Sequence, residues 1–233
     1  MRHFRTLMFS ALFTLLSVAS AYASQSSSDH MELEKRFKSI VFAQHADTMM
    51  ADKLWKEVVS NYSGKDRYYH TMAHLENFYA QLQKCEAQTK DHDVLFMAMI
   101  YHDVIYNSAD HKDEERSADM AVERLKGIGF AEASISKCKE LILATKAHAV
   151  SADADTNYFN DGDMSILGLD RAVYQQYVKD VRMEYGNTPQ FDAGRKRVLQ
   201  YFLGMERIFK TDFFYKIYEA SARANVTWEL SQL

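Results

Sequence analysis

Across 233 residues there is one proline, Pro189, and only eight glycines. A chain so poor in helix breakers cannot easily supply the many turns of an all-β protein, and long helices are what it favours. Hydrophobic residues at 47% and charged residues at 26% are enough for a core without staples. The length suits one domain, or at most two. The sequence therefore predicts an all-α fold, with a single helical domain over residues 31–233.

The first residues stand apart. Arg2 and Arg5 make a short basic start, an apolar run extends from Leu7 to Ala19, and small residues follow to Ala21-Tyr22-Ala23. These are the three parts of a secretory signal peptide, residues 1–23, with cleavage expected after Ala23. The alternative is a retained anchor, but the run is shorter than the ~20 residues a spanning helix needs. Residues 24–30, opening with Ser24-Gln25-Ser26-Ser27-Ser28, form a flexible leader. The expected location is the periplasm or the outside medium, with no stable membrane span after cleavage. Cleavage removes two arginines and no acid, moving the net charge from −4 to −6. So acidic a chain, with no basic stripe, is a poor ligand for nucleic-acid polymers. A small-molecule substrate is the better expectation. Cys85 and Cys138 match no zinc spacing; in an exported protein they form either one disulfide or two buried thiols.

Apolar residues recur mostly at three- and four-residue steps from Met31 to Tyr62, with a break near Asp47. Ser63-Gly64-Lys65-Asp66 is a turn. Helices are expected over Tyr69–Cys85, Val94–Tyr106, Asp113–Lys126 and Ala133–His148. The second of these is almost wholly apolar and so central, and the third ends on Gly127 as a C-cap. Ser151–Asn157 reads as a polar loop and Asp161–Leu167 as a short helix. Arg171–Tyr185, Pro189–Phe209 and Phe213–Ala224 complete the set, with Pro189 in a first turn where its missing N–H does no harm. The run Asp113-Glu114-Glu115-Arg116 reads as a solvated helix face.

Candidate chemistry lies in four places. His70 and His74 are four apart and share a helix face; alone, such a pair is weak evidence. His102-Asp103 closes the most apolar stretch, where a buried imidazole and carboxylate must be paired or coordinated. His148 lies three beyond Thr145, and Asp161-Gly162-Asp163 opens the expected short helix. Acids at a helix start often only complement its dipole, which suits Asp161, whereas Asp163 can point inward. Mixed nitrogen and oxygen donors suit Mn, Fe, Co, Ni or Zn better than Ca or Mg. There is no thiolate set, no Gly-rich phosphate loop, and no local motif for a Ser or Cys nucleophile.

The order His…His-Asp…Asp resembles the HD superfamily of metal-dependent phosphohydrolases. The chain is closer still to a bacterial branch of it in Tyr69-His70-Thr71 with His74, Tyr101-His102-Asp103 with Tyr106, and Glu114 with Ser117-Ala118. Ala144-Thr145 with His148, Asp161-Gly162-Asp163 with Leu167-Gly168, and Arg182 with Glu184-Tyr185 continue the match, which covers about Trp55 to Phe209. The resemblance implies an all-α HD-domain bundle with a central site for one or two divalent ions. His74, His102, Asp103 and Asp163 would be the ligands, Asp161 being the alternative to Asp163. Asp103 would bridge if a second ion binds, and His148 would be a second-metal ligand or a phosphate contact. The Tyr69-His70 start is similar to that of cyclic-nucleotide phosphodiesterases, with Thr71 in place of the usual Asn, and His70 would take the proton-donor role. The chain departs from its branch at Lys112-Asp113, where Asp-Asn is usual, and at Gly162, often Ala elsewhere.

The function so implied is hydrolysis of a small phosphoester, a monoester or a diester with nucleotide-like compounds among the candidates, by metal-activated water. His70 would protonate the leaving oxygen, while Arg67, Lys146 and Arg182 would be candidates to hold phosphate charge. Two other classes compete: a di-iron oxygenase on the same fold, and a metal- or ligand-binding module without turnover.

Overall fold

A computed structural model describes residues 28–107 and 112–233. The expected signal peptide and most of the leader lie outside these residues. The described chain is all helical, without strands. Residues 28–43 form α1, and α2 (Thr48–Tyr62) and α3 (Met72–Lys84) follow. Next come α4 (His92–Tyr101), α5 (Asp113–Gly127), α6 (Glu132–Ala144) and α7 (Ala154–Asp163). A 3-10 turn over Met164–Gly168 leads into α8 (Arg171–Tyr185), α9 (Pro189–Gly204) and α10 (Asp212–Leu230). No helix among the described residues is long and apolar enough to cross a membrane.

Every residue of α4 from Val94 to Tyr101 is buried, and the helix packs against α3, α5, α6 and α7. It is the central rod that its unbroken apolar sequence predicts. It ends at Tyr101 rather than Tyr106, so His102 and Asp103 sit just past its last turn. Side chains divert the amides that would continue it: that of Asp103 donates to the Tyr62 hydroxyl (3.3 Å) and that of Ile105 to Oγ of Ser117 (3.1 Å), while the guanidinium of Arg67 donates to the carbonyls of Asp103 (2.8 Å) and Val104 (3.0 Å).

Buried apolar side chains fall into two clusters. One runs from Leu33 to Phe159 around α4; the other joins Cys85 to Met164, Tyr174, Phe209, Phe214 and their neighbours on α8–α10. Cys138 belongs to the first and Cys85 to the second, and both are free thiols. Of the two alternatives for the cysteines, the separate buried pair is the one observed, and burial pushes each thiol up to about 12.

Three other expectations need correction. The polar segment Ser151–Asn157 is not a loop throughout, because α7 begins at Ala154. Its buried face is mostly polar: Asp155, Thr156, Asn160 and Asp161 are all inside beside Phe159, so it lacks an apolar period. Asp155 accepts from the amides of Lys90 and Asp91 at the start of α4. Gly127 is the last residue of α5 rather than its cap, and Gly129 takes the left-handed conformation at φ 87°. The helix expected from Tyr69 begins at Met72, because the amides of residues 68–70 are engaged elsewhere, as described below.

Candidate metal centre

His74 comes from the first turn of α3, His102 and Asp103 from the end of α4, and Asp163 from the last residue of α7. Their polar atoms meet. Nε2 of His74 lies 3.0 Å from Nε2 of His102, and Oδ2 of Asp103 is 3.0 Å from His102 and 3.7 Å from His74. Oδ1 of Asp163 is 3.4 Å from His74 and 3.6 Å from His102. Nδ1 of His102 lies 2.7 Å from the carbonyl of Met99. A carbonyl only accepts, so Nδ1 carries the hydrogen and the neutral ring presents an Nε2 lone pair to the cluster.

Two imidazole nitrogens so close, facing two carboxylates, need a shared hydrogen or a cation between them. Donor atoms ~2.1 Å from one ion stand roughly 3.0 Å apart at octahedral angles and 3.4 Å at tetrahedral ones. The separations observed here are of that size, and His74, His102 and Asp103 form a group that could hold a metal ion. The electrostatics agree. Burial opposes ionising Asp103 and Asp163, but the imidazoles around them hold both well below the ordinary carboxylate range. Burial also opposes charge on His102, yet its two carboxylate neighbours raise it; on His74 burial wins and lowers it.

His70 stands beside this group, with Nε2 3.8 Å from Oδ2 of Asp103. Its orientation is set from α8 by Glu184, whose side chain is fully buried. Oε1 of Glu184 accepts from the backbone amides of Tyr68, Tyr69 and His70 at 2.8–2.9 Å, and Oε2 lies 2.6 Å from Nδ1 of His70. Burial lowers the His70 pKa, but Asp103 and Glu184 outweigh it and the net direction is upward. Glu184 itself is pushed up by burial and held down, on balance, by His70. The resemblance had marked Glu184 only as part of a matching string. No local pattern signals its role, because it acts on residues 114–116 positions away.

Asp161 and Asp163 part company. Asp161 is fully buried and turns to α10, accepting from the amides of Lys210 (2.9 Å) and Thr211 (2.7 Å). Only Asp163 reaches the histidines. The two lie at the end of a helix rather than at its start, so the dipole role expected of Asp161 does not apply; it anchors the N-terminus of α10 instead. Gly162 between them faces the Phe78 ring, which a Cβ would meet at 2.8 Å. His148 follows α6 in the left-handed region, φ 47°, a strained conformation for a side-chain-bearing residue. Its Nε2 lies 2.8 Å from Oδ2 of Asp163, so this carboxylate spans from the His74–His102 pair to His148.

The group opens on a cavity of about 220 Å³. His70, Asp103, His148 and Asp163 line it together with Asp113, Glu114 and the rings of Tyr69, Tyr106, Tyr177 and Tyr185. Asp113 and Glu114 thus face the cavity, which corrects the expectation of a wholly solvated helix face. Among the described residues, neither Arg nor Lys lines it. Lys146 pairs with Glu115 at 2.5 Å, and Arg182 binds Asn187 and Asp192 while stacking on Phe191. Arg67 donates to the carbonyls of His70, Asp103 and Val104 and holds the backbone of the site together. None of the three expected phosphate-holding cations lines the cavity.

The chain matches no family model, no curated protein and no solved structure.

Proposed function

We propose that this chain is a metal-dependent phosphohydrolase of the HD-superfamily type, acting on a small phosphomonoester or phosphodiester after export. The observation that carries this reading is the convergence of His74, His102, Asp103 and Asp163, with His70 beside them and independently oriented. When bound, a divalent transition ion supplies Lewis acidity and acidifies water.

The chain's own residues account for the rest. Nδ1 of His70 donates to Glu184, which leaves the protonated Nε2 facing the cavity wall beside Asp103. From there it can give its proton to a leaving alkoxide. Asp103 and Glu184, which raise the His70 pKa, favour its protonated form. Arg67 ties the backbone of His70 to that of Asp103, so the donor and the ligand hold a constant separation. The carboxylate-rich wall bears on the substrate. With neither Arg nor Lys among its described lining residues, the bound ion would be the cavity's main cationic contact for a phosphate group.

The test has two parts. Metal content after dialysis should be near stoichiometric in the wild type and lost in His102→Ala; full retention by that variant sinks the ligand assignment. A phosphoester panel with added Mn, Co and Ni should show turnover, and His70→Ala should keep the metal and slow turnover by about 10²–10⁴-fold. Two irons per chain without phosphoester turnover would favour the oxygenase. Metal retention without activity on any substrate would favour a binding module.

A further inference from the structure

The lining of the metal-side cavity is divided by chemistry. His70, Asp103, His148 and Asp163 line one part of it, joined by Asp113 and Glu114 from the start of α5. The lining from the turn after α7 and from α8 and α9 is of another kind: Met164, Ile166, Leu167, Tyr177, Tyr185 and Phe202. Among the described residues, these elements add to it no charged side chain and no Ser, Thr, Asn or Gln. The Tyr177 hydroxyl accepts from Arg195 at 3.1 Å, and Arg195 is fixed in turn by Glu229 at 2.7 Å, so this ring is held in place.

The two parts meet at His70. Its ring is stacked on Tyr106, with centroids 5.5 Å apart and 27° between the planes, and meets Tyr69 edge-on at 4.9 Å. Each of these rings leads into the apolar part, Tyr69 to Tyr177 at 4.6 Å and Tyr106 to Tyr185 at 6.0 Å. A leaving oxygen that takes its proton from His70 therefore carries its organic group in among aromatic side chains. Such a wall favours apolar surface withdrawn from water. It offers few partners to the hydroxyls of a sugar or the edge of a base, and polar groups buried without partners are costly. Size narrows the class further. The cavity is about 220 Å³. One of roughly 150 Å³ takes benzene, so there is room here for a single ring beside a phosphoryl group.

We propose that the substrate is a phosphomonoester of an uncharged, mostly apolar alcohol or phenol with a single ring, its organic group lying against Ile166, Tyr177 and Phe202. The placement of the phosphoryl end rests on the hydrolase reading; the apolar subsite does not.

Phenylphosphonate and methylphosphonate separate the two ends, since neither has an ester bond to cut. Calorimetry on Zn-loaded protein should give the phenyl compound about tenfold or more the affinity of the methyl one, and Phe202→Ala should shrink that ratio to about threefold or less. Tyr185→Ala, at a position 47% exposed and so of little weight in folding, should shrink it as well. In metal-free protein carrying ¹³C-methyl labels on Met and Ile, phenol should shift the Met164 and Ile166 methyls saturably, and glycerol should not. Equal phosphonate affinities, or a ratio unmoved by both substitutions, overturn the proposal. So does the absence of a saturable phenol shift. The two readings fail separately. Binding of both phosphonates without a phenol shift sinks the apolar subsite and leaves the hydrolase standing. The phenyl preference without turnover of phenyl phosphate sinks the hydrolase and leaves the ligand class standing.

Discussion

Two carboxylates two positions apart, Asp161 and Asp163, do different work because helical side chains at i and i+2 point about 200° apart. The sequence could name the pair but not separate them, since both are acids at the same place and each is needed. The separation is testable. Asp163→Asn should lose metal and keep most of its stability. Asp161→Asn should keep metal and lose about 2 kcal/mol, because two buried amides of the α10 start are left with a poorer acceptor. Metal analysis and denaturant unfolding of the two variants check both statements; loss of metal from Asp161→Asn would reverse the assignment. His102 and Asp103 were legible because a buried His-Asp pair at the end of an apolar helix demands a partner, and the resemblance added His74 as that partner. Glu184 was not, since a lone acid on an otherwise amphipathic helix looks like surface until the amides it serves are seen.

Elements of this fold are joined by buried carboxylates that receive successive amides at helix starts. Asp155 serves the beginning of α4, Glu184 the approach to α3, and Asp161 and Glu219 the approach to α10. The two best-served approaches share a frame, Arg67-Tyr68-Tyr69-His70-Thr71 and Arg207-Ile208-Phe209-Lys210-Thr211, each ending on a Thr N-cap. Helices with an apolar stripe were legible from periodicity, whereas α7 was half missed because it buries polar groups for this purpose. Its start is set by Asp153, which accepts from the Thr156 amide at 2.8 Å. Burial pushes the Asp153 carboxyl up, but Lys137 and Thr156 outweigh it and bring it from 3.8 to about 2. A depressed carboxylate contributes stability above its unfolded value and loses it as pH falls through the folded one. Asp153→Ala should therefore cost about 1 kcal/mol near neutrality. The gap from wild type should close between 3.8 and about 2, in melts recorded across that range. A gap independent of pH would show that the charge contributes nothing.

At the scale of the molecule, two apolar clusters meet along α7 and the turn after it. Within the second cluster, Gly168 marks how tightly that turn packs on α10: a Cβ there would lie 2.4 Å from Cβ of Tyr218 and 2.9 Å from its carbonyl oxygen. Gly168→Ala should destabilise by about 2 kcal/mol, since α10 must move to admit a methyl group. Gly127→Ala, in a helical position with nothing within 4 Å, should stabilise by ~0.5–1 kcal/mol. Thermal unfolding of the pair measures both, and equal shifts would contradict the packing described. The all-helical class was legible from the scarcity of breakers, but the division into two clusters was not, because both halves have the same periodicity. The Glu184 clasp has a consequence for the order of assembly. Residue 184 must reach back 114–116 positions before the amides around His70 find their acceptor. Contacts so distant in sequence form late, after local helices have set. In a chain halted before α8, the amides of residues 68–70 would lack this acceptor and the ring of His70, the proposed proton donor, would lack its partner. The proposed proton-donor geometry is thus expected to mature only once α8 has been made and docked.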